Sequence, residues 1–351
     1  MRLPSSLAFG TVVARMSTRP TIADIAKEIG VSPSTVSRAL RDHPAISEVR
    51  KIEVRAAAEA IGFAVPEKVV DQKAEHPKLV GCVVPSVSHP YFVQLIEKLE
   101  AVCAQNGCDL ILHNSGGSLA TEKMIVQRLI SRKVDGVFFV PQSADATALE
   151  ECTRSLKTVV ITQQTDLCPS IGVSHEEGGR QVAEHFKEIG RRSCLWIGYP
   201  GDTKLQGFLN YIEAQRLTDF KVETLPVFGW DECFIMEVHN TILRRYTVQT
   251  IRSFDCVFGV SDLAAVGVLH ALKDLRRAVP QEVAVCGFDD TSLAREVWPG
   301  LTSVAQPIGQ IVRSGFDLLE RIIHGESISP EERTFSLKPH LVVRGSTFAG
   351  P

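Results

Sequence analysis

The segment from Thr21 to Leu40, TIADIAKEIGVSPSTVSRAL, constrains this chain more than any other stretch. Ile22, Ile25, Ala26 and Ile29 recur at i, i+3, i+4 and i+7, which lays one apolar stripe along a short helix. Thr21 supplies an N-cap oxygen, and Asp24 places negative charge in the first turn, where the helix dipole favours it. Gly30 falls where a left-handed residue closes a helix. Ser32 then caps a second helix that has Pro33 at its first position. Val36, Ala39 and Leu40 face the first helix, and the small Ala26 lets the two approach closely. Ser34, Thr35, Ser37, Arg38 and Arg41 are left on the outer side, where such side chains donate to base edges and phosphates. A third helix is expected over residues 47–61, with Val49, Ile52, Ala56 and Ala60 on its buried face. This arrangement predicts a helix-turn-helix that reads duplex DNA.

Charge follows the same division. Residues 1–62 hold nine Lys or Arg against six Asp or Glu, a net of +3, while the whole chain carries −3; the remainder therefore carries −6. Basic charge concentrated on a small head suits phosphate binding, and an acidic body stays off DNA. At 351 residues the chain is too long for one small domain. The expected division is an extension at 1–20, a head at 21–65, a linker at 66–77 and a body at 78–351. The extension holds Arg2, Arg15 and Arg19 with several serines and no acid, and Met16 is read as the native start because it brings the first helix close to the N-terminus.

Strand-like runs in the body fall at 79–84, 109–113, 136–140, 159–162, 195–198, 222–227, 257–260 and 283–288. Helical patterns lie between them at 91–105, 120–131, 146–156, 178–189, 205–216, 232–254, 263–275 and 308–324. Strict alternation implies α/β architecture with doubly wound parallel sheets and right-handed crossovers. Two such sheets place the carboxyl ends of their strands around a shared cleft.

The head resembles the DNA-binding domain of the lactose/galactose repressor (LacI/GalR) family. Its pattern T-x-x-D-V-A-x-x-A-G-V-S-x-x-T-V-S-R, followed by V-S and a third helix, is met nearly throughout residues 21–63, with Ile29 in place of a small residue and Val49-Arg50-Lys51 in place of a Thr-Arg pair. The body resembles the same family's effector domain, which shares its fold with periplasmic sugar-binding proteins. Matching segments include Ser88–Phe92, Arg132–Val137, His175–Gly179, Val260–Ala265, Val285–Asp290, Leu301–Gln306 and Leu341–Thr347. The resemblance implies a two-lobed body, with lobe 1 at about 78–174 and 307–335 and lobe 2 at about 175–306 and 336–351. It implies a cytoplasmic bacterial repressor, held at the nucleoid, that binds a pseudo-palindromic operator as a homodimer. Thr21, Ser32, Pro33, Ser34, Thr35, Ser37, Arg38, Arg41, Arg50 and Lys51 are the expected DNA contacts.

An effector, expected to be a carbohydrate or related metabolite, would lie between the lobes. Aromatic faces and planar hydrogen-bonding groups at strand ends hold such ligands. The expected contacts are Tyr91, Phe92, Gln163, Lys204, Ser261, Asp262, Asp289 and Gln306, with Asp289 accepting from ligand hydroxyls and Asp290 capping the following helix. Two departures matter. Gln163-Gln164 stands where the family often has Asp-Arg, and Lys204 stands where an arginine usually clamps the ligand. A lysine lacks arginine's bidentate fork, which leaves open an atypical effector or a regulator that needs none. In the linker, Gln72 or Lys73 occupies the place of the family's minor-groove leucine and Asp71 and Glu75 oppose phosphate, so either a weak wedge through Val69 or Val70 or a plain solvated tether is expected.

Other functions are disfavoured. The nine cysteines are scattered without a C-x-x-C pair and read as free thiols, and the ten histidines show no ligand spacing. Neither a dinucleotide or P-loop fingerprint nor a G-x-S-x-G elbow occurs, so no cofactor is expected and an enzyme is the weaker reading. No apolar run reaches the roughly 18 residues of a membrane span. A solute-binding protein would share the body's fold but would lack the head.

Overall fold

The computed structural model describes residues 20–40, 46–61, 63, 78–141, 146–229 and 233–348. The extension, Arg41 and the linker, with the expectations placed on them, lie outside the described residues. The chain divides into two compact units, Met1–His76 and Pro77–Pro351.

The first unit is built from α1 (Ile22–Glu28), α2 (Pro33–Leu40) and α3 (Glu48–Ala60). Asp24 accepts from both the backbone N–H and the hydroxyl of Thr21, at 2.8 and 2.7 Å, and closes the start of α1. Gly30 turns the chain at φ +68. Ser32 Oγ accepts from Thr35 N at 3.1 Å and starts α2. Ile25, Val36, Ala39, Val54 and Ala58 are wholly buried and form the core. The third helix uses a different face from the expected one. Val54, Ala57 and Ala58 point inward, while Ile52 is 65 % exposed and Ala56 and Ala60 are exposed. The stripe continues to the half-buried Ile61, so the spacing Val54, Ala57, Ala58, Ile61 is itself i, i+3, i+4, i+7. Two overlapping helical phases were present in this alanine-rich segment, and packing against α1 and α2 selects the second.

The second unit runs β1 (Lys78–Val84), α4 (Pro90–Gln105), β2 (Cys108–Asn114), α5 (Leu119–Ser131), β3 (Gly136–Phe139), α6 (Thr147–Ser155), β4 (Thr158–Thr162), β5 (Ser170–Val173), α7 (His175–Glu188), β6 (Ser193–Ile197), α8 (Thr203–Ala214) and β7 (Lys221–Leu225). It continues with α9 (Phe234–Arg245), β8 (Cys256–Gly259), α10 (Asp262–Asp274), β9 (Ala284–Asp289), α11 (Ser292–Glu296), β10 (Thr302–Ala305), α12 (Ile308–Ile323), α13 (Pro330–Arg333), β11 (Thr334–Leu337) and β12 (His340–Val342). The strands make two sheets, ordered β11-β5-β4-β3-β1-β2 and β12-β10-β9-β8-β6-β7. All described pairings are parallel except β12 against β10, which is antiparallel and departs from the uniformly parallel expectation.

Each sheet anchors one lobe. The first packs against α4 and α12 around Phe138, Leu95 and Leu99; the second buries Trp196, Phe186, Phe208, Phe258 and Phe288. The chain passes between lobes three times, at Ser174, at Gln306–Pro307 and at Lys338–Pro339. The expected lobe edge at 335 therefore cuts through β11. Four short strands, β5, β10, β11 and β12, carry Ser, Thr, Gly or His among their few residues and were not expected. The long helix expected over 232–254 ends at Arg245, because Thr247 and Thr250 bond each other's backbone and side chain and close a separate 3₁₀ turn at Thr250–Ser253.

Candidate ligand cavity and nucleic-acid interface

The loops that follow the carboxyl ends of β1, β4, β5, β6, β7, β8, β9 and β10 converge on one cavity of about 200 Å³. Tyr91, Phe92 and Gln163 reach it from the first lobe, and Lys204, Ser261, Asp289 and Gln306 from the residues around the second. His89, Thr162, His175, Tyr199, Asp202, Gly229, Phe234 and Val260 also line it and escaped the sequence reading. The two histidines sit at starts of α4 and α7, where a cap or a solvated side chain is the ordinary reading.

Asp289 is the centre of the cavity's polar chemistry. It ends β9 with φ +108, and Asp290 follows at φ +49, so two consecutive non-glycine residues hold left-handed backbone. Oδ1 of Asp289 accepts from Gln306 Nε2 at 2.7 Å. Burial, with the Asp262 carboxylate behind it, pushes Asp289 up to about 8. Lys204 opposes that shift. Its ammonium donates to Val260 O at 3.1 Å, stands 3.7 Å from Asp202 Oδ2 and lies 4.7 Å over the Phe288 ring. The lysine's charge is therefore compensated within the protein. His89 and His175 are each lowered to about 4, by burial first and by Lys204 second, and stand neutral at pH 7. Tyr91 Oη and Gln306 Oε1 are buried without a hydrogen-bond partner, which leaves a hydroxyl and an acceptor at the cavity for a ligand to satisfy.

Asp262 departs from its expected role. It is 1 % exposed, and its carboxylate accepts from Thr291 N at 2.7 Å, Thr291 Oγ1 at 2.9 Å and Ser303 Oγ at 2.5 Å. A carboxylate with three internal donors is a brace behind the cavity wall. Asp290 is not the cap of α11 either. Thr291 holds that position, and Asp290 pairs instead with Arg344 Nη2 at 2.5 Å. Gln163 lines the cavity with its amide donating to Pro141 O at 2.9 Å.

On the first unit, Pro33, Ser34 and Arg38 are exposed along α2, and Thr35 and Ser37 are half-buried. The Ser32 hydroxyl bonds those of Ser34 and Thr35, each at 2.8 Å, so these three form one hydroxyl cluster at the start of the helix. Thr21 is engaged with Asp24, whose carboxyl those bonds hold below the usual range. Arg50 pairs with Glu53 at 2.7 Å on an exposed face. Lys51, expected to meet phosphate, is only 5 % exposed; the inward phase of α3 turns it into the interior.

None of the nine cysteines is in a disulfide, and all but Cys233 are buried. No group of metal-ligating side chains is assembled among the described residues, and among them no helix is long and apolar enough to cross a membrane.

Comparison with known proteins matches both units. Residues 21–65 match the profile of bacterial regulatory proteins of the lacI family, and residues 183–347 match that of periplasmic binding protein-like domains. The HTH-type transcriptional repressor PurR of Edwardsiella ictaluri is 30 % identical over 344 residues, covering 94 % of this chain and 98 % of its own. Catabolite control protein A of Staphylococcus xylosus is 26 % identical over 333 residues, covering 93 % and 99 %. Among solved structures, a periplasmic binding protein/LacI transcriptional regulator from Alkaliphilus metalliredigens complexed with D-xylulofuranose is 25 % identical, with a TM-score of 0.66 over 78 % of this chain and all of that one. The lac repressor dimer bound to operator shares the fold at 22 % identity, with a TM-score of 0.69 over 95 % of this chain and all of that one.

Proposed function

The chain belongs to the lacI family of bacterial regulatory proteins, and on that footing we propose that it is a cytoplasmic repressor, not an enzyme, which binds a pseudo-palindromic operator as a homodimer and answers to one small effector. The observation that carries the effector reading is the cavity itself: a space between the lobes with a buried acid and two unpartnered polar atoms, Tyr91 Oη and Gln306 Oε1. A ligand that satisfies them stabilises whichever arrangement of the lobes holds them together. Coupling to operator affinity is then a matter of a few kcal/mol. Arg38 reads base edges from the middle of α2, with Ser34 and Ser37 beside it, and Arg50 meets the backbone.

A homodimer is supported by an apolar surface at one end of the second lobe. Trp298 is 94 % exposed, and the neighbouring terminal segment adds Phe348 at 57 % and Val343 at 48 %. The two segments are joined by a hydrogen bond from Ser346 N to Gly300 O at 2.9 Å. Exposed apolar patches of this kind mark contact sites, and a two-fold dimer reads both operator half-sites at once.

We take the effector to be a carbohydrate of about one ring, a size set by the 200 Å³ cavity and a class supported by the xylulofuranose complex of the Alkaliphilus relative. A flat, uncharged heterocycle is the second reading. It is favoured by six ring side chains in the wall, His89, Tyr91, Phe92, His175, Tyr199 and Phe234, and by the internal compensation of Lys204. The test is selection of duplexes from a random palindromic library, followed by titration of the bound operator with D-xylulose, cellobiose and adenine. A change of tenfold or more with one of them, lost in Asp289→Ala, is the expected outcome. Enrichment that survives Arg38→Ala unchanged refutes the DNA reading, and indifference to every ring compound refutes the effector reading.

A further inference from the structure

The left-handed turn at Asp289–Asp290 raises the question of what keeps it in place. Neither residue is glycine, and each costs strain at its observed φ of +108 and +49. The Asp289 side chain accepts from Gln306, and its backbone is paired with Ala305 at the end of the β9–β10 ladder. Asp290 has two anchors. Its N–H donates to Ser303 Oγ at 3.0 Å, and its carboxylate accepts from Arg344 Nη2 at 2.5 Å. Ser303 is fixed in turn by Asp262.

Arg344 is well placed to act as a clamp. It comes from the C-terminal segment, after β12, and its side chain is 17 % exposed. Nη2 takes Asp290 while Nη1 donates to Leu301 O at 2.7 Å, and its own N–H donates to Thr302 Oγ1 at 2.8 Å. The two guanidinium nitrogens thus span the end of β9 and the start of β10, the two strands that present Asp289 and Gln306. An arginine fork fixes two acceptors in one plane, which a point charge does not. We infer that Arg344 is a positioning residue for the cavity acid: by clamping Asp290 against Leu301, it holds Asp289 in its strained backbone and aims its carboxyl into the cavity. The inference deepens the effector reading by adding a residue that never touches the ligand.

The clamp is read without any ligand, so its failure is separable from that of the effector assignment. Amide hydrogen exchange is measured on the full-length protein, in the wild type and in Arg344→Gln, Arg344→Lys, Asp290→Asn and the Arg344→Gln/Asp290→Asn pair. Exchange at the Asp290 and Thr291 amides is expected to rise tenfold or more in Arg344→Gln, with β6 and α7 unchanged. Arg344→Lys should restore part of the protection, and the double variant should be no faster than Asp290→Asn alone. Unchanged exchange at Asp290 and Thr291 overturns the inference. So does a uniform rise across β6, β8 and β9, which would make Arg344 a general stabiliser of the lobe; additive effects in the double variant would likewise show that Arg344 does not act through Asp290.

Discussion

Helices α7 and α8 meet backbone to backbone, and a single methyl group tests how much the second lobe depends on that contact. A Cβ added at Gly179 would stand 1.8 Å from Lys204 O, 2.8 Å from its carbonyl carbon and 3.1 Å from Phe208 N. Contacts under 3.0 Å are essentially absent for real Cβ atoms, so the helices must part by more than 1 Å. Nothing near is a flexible side-chain end. A Cβ added at Gly207 on α8 would likewise stand 2.0 Å from Glu176 O, so the two backbones are in close approach at both positions and α8 has no room to roll instead. Overpacking costs up to about 3 kcal/mol. Replacing a helical glycine by alanine returns about 1 kcal/mol. The net loss in Gly179→Ala is then about 2 kcal/mol, or a fall of roughly 4–8 °C in Tm for a unit of this size. Because the clash is with the carbonyl of Lys204, the same variant should also weaken the effector response. Thermal melts and operator titrations read the two effects, with Gly201→Ala as control, since nothing lies within 4 Å of a Cβ there. A Gly179→Ala protein that melts with the wild type would refute the argument.

Three other outcomes follow from the geometry. Arg38→Ala should cost roughly 1–3 kcal/mol of sequence-specific binding per half-site, while Arg50→Ala should weaken specific and random duplex alike; anisotropy at two salt concentrations separates them, and equal loss of discrimination in both would reassign the reading residue. Asp289 is pushed up to about 8, so the folded protein keeps a proton that the unfolded chain has lost, and this contribution to stability fades as pH rises from the ordinary carboxyl range through 8. Asp289→Asn should therefore raise Tm relative to wild type more at pH 8.5 than at pH 5, and an equal shift at both would contradict it. On α3, Val54→Glu should unfold the head whereas Ile52→Glu should be silent by circular dichroism; the reverse would restore the discarded helical face.

The helix-turn-helix was legible because each of its signals is local. Thr21, Asp24, Gly30, Ser32 and Pro33 act within a few residues of themselves, and the structure has them at the expected caps and turn. The long strands of the body were legible for the same reason, as apolar runs between amphipathic stretches. What escaped depends on partners far along the chain. Lys51 and Ile52 exchange places because α1 and α2 choose between two phases of one helix. Asp262 reads as a ligand group until Thr291 and Ser303 close around it, and Asp290 reads as a cap until Arg344 arrives from more than fifty residues away. His89 and His175 carry no local mark of a cavity, since what places them there is the meeting of two lobes.

The three passages of the chain between lobes have a genetic consequence. Neither lobe is a continuous stretch of coding sequence: the first lacks α12 and β11 unless translation proceeds past Leu337, and the second lacks β12 until Val342. A nascent chain that has emerged only as far as Ala305 owns most of both sheets and has completed neither. Truncation that reaches into β11 from the C-terminal side therefore damages the two lobes together. Recombination that sought to exchange one ligand-holding half between relatives would need three simultaneous junctions, at Ser174, Gln306–Pro307 and Lys338–Pro339, so this body is expected to diversify by point substitution in its cavity wall and not by trading halves.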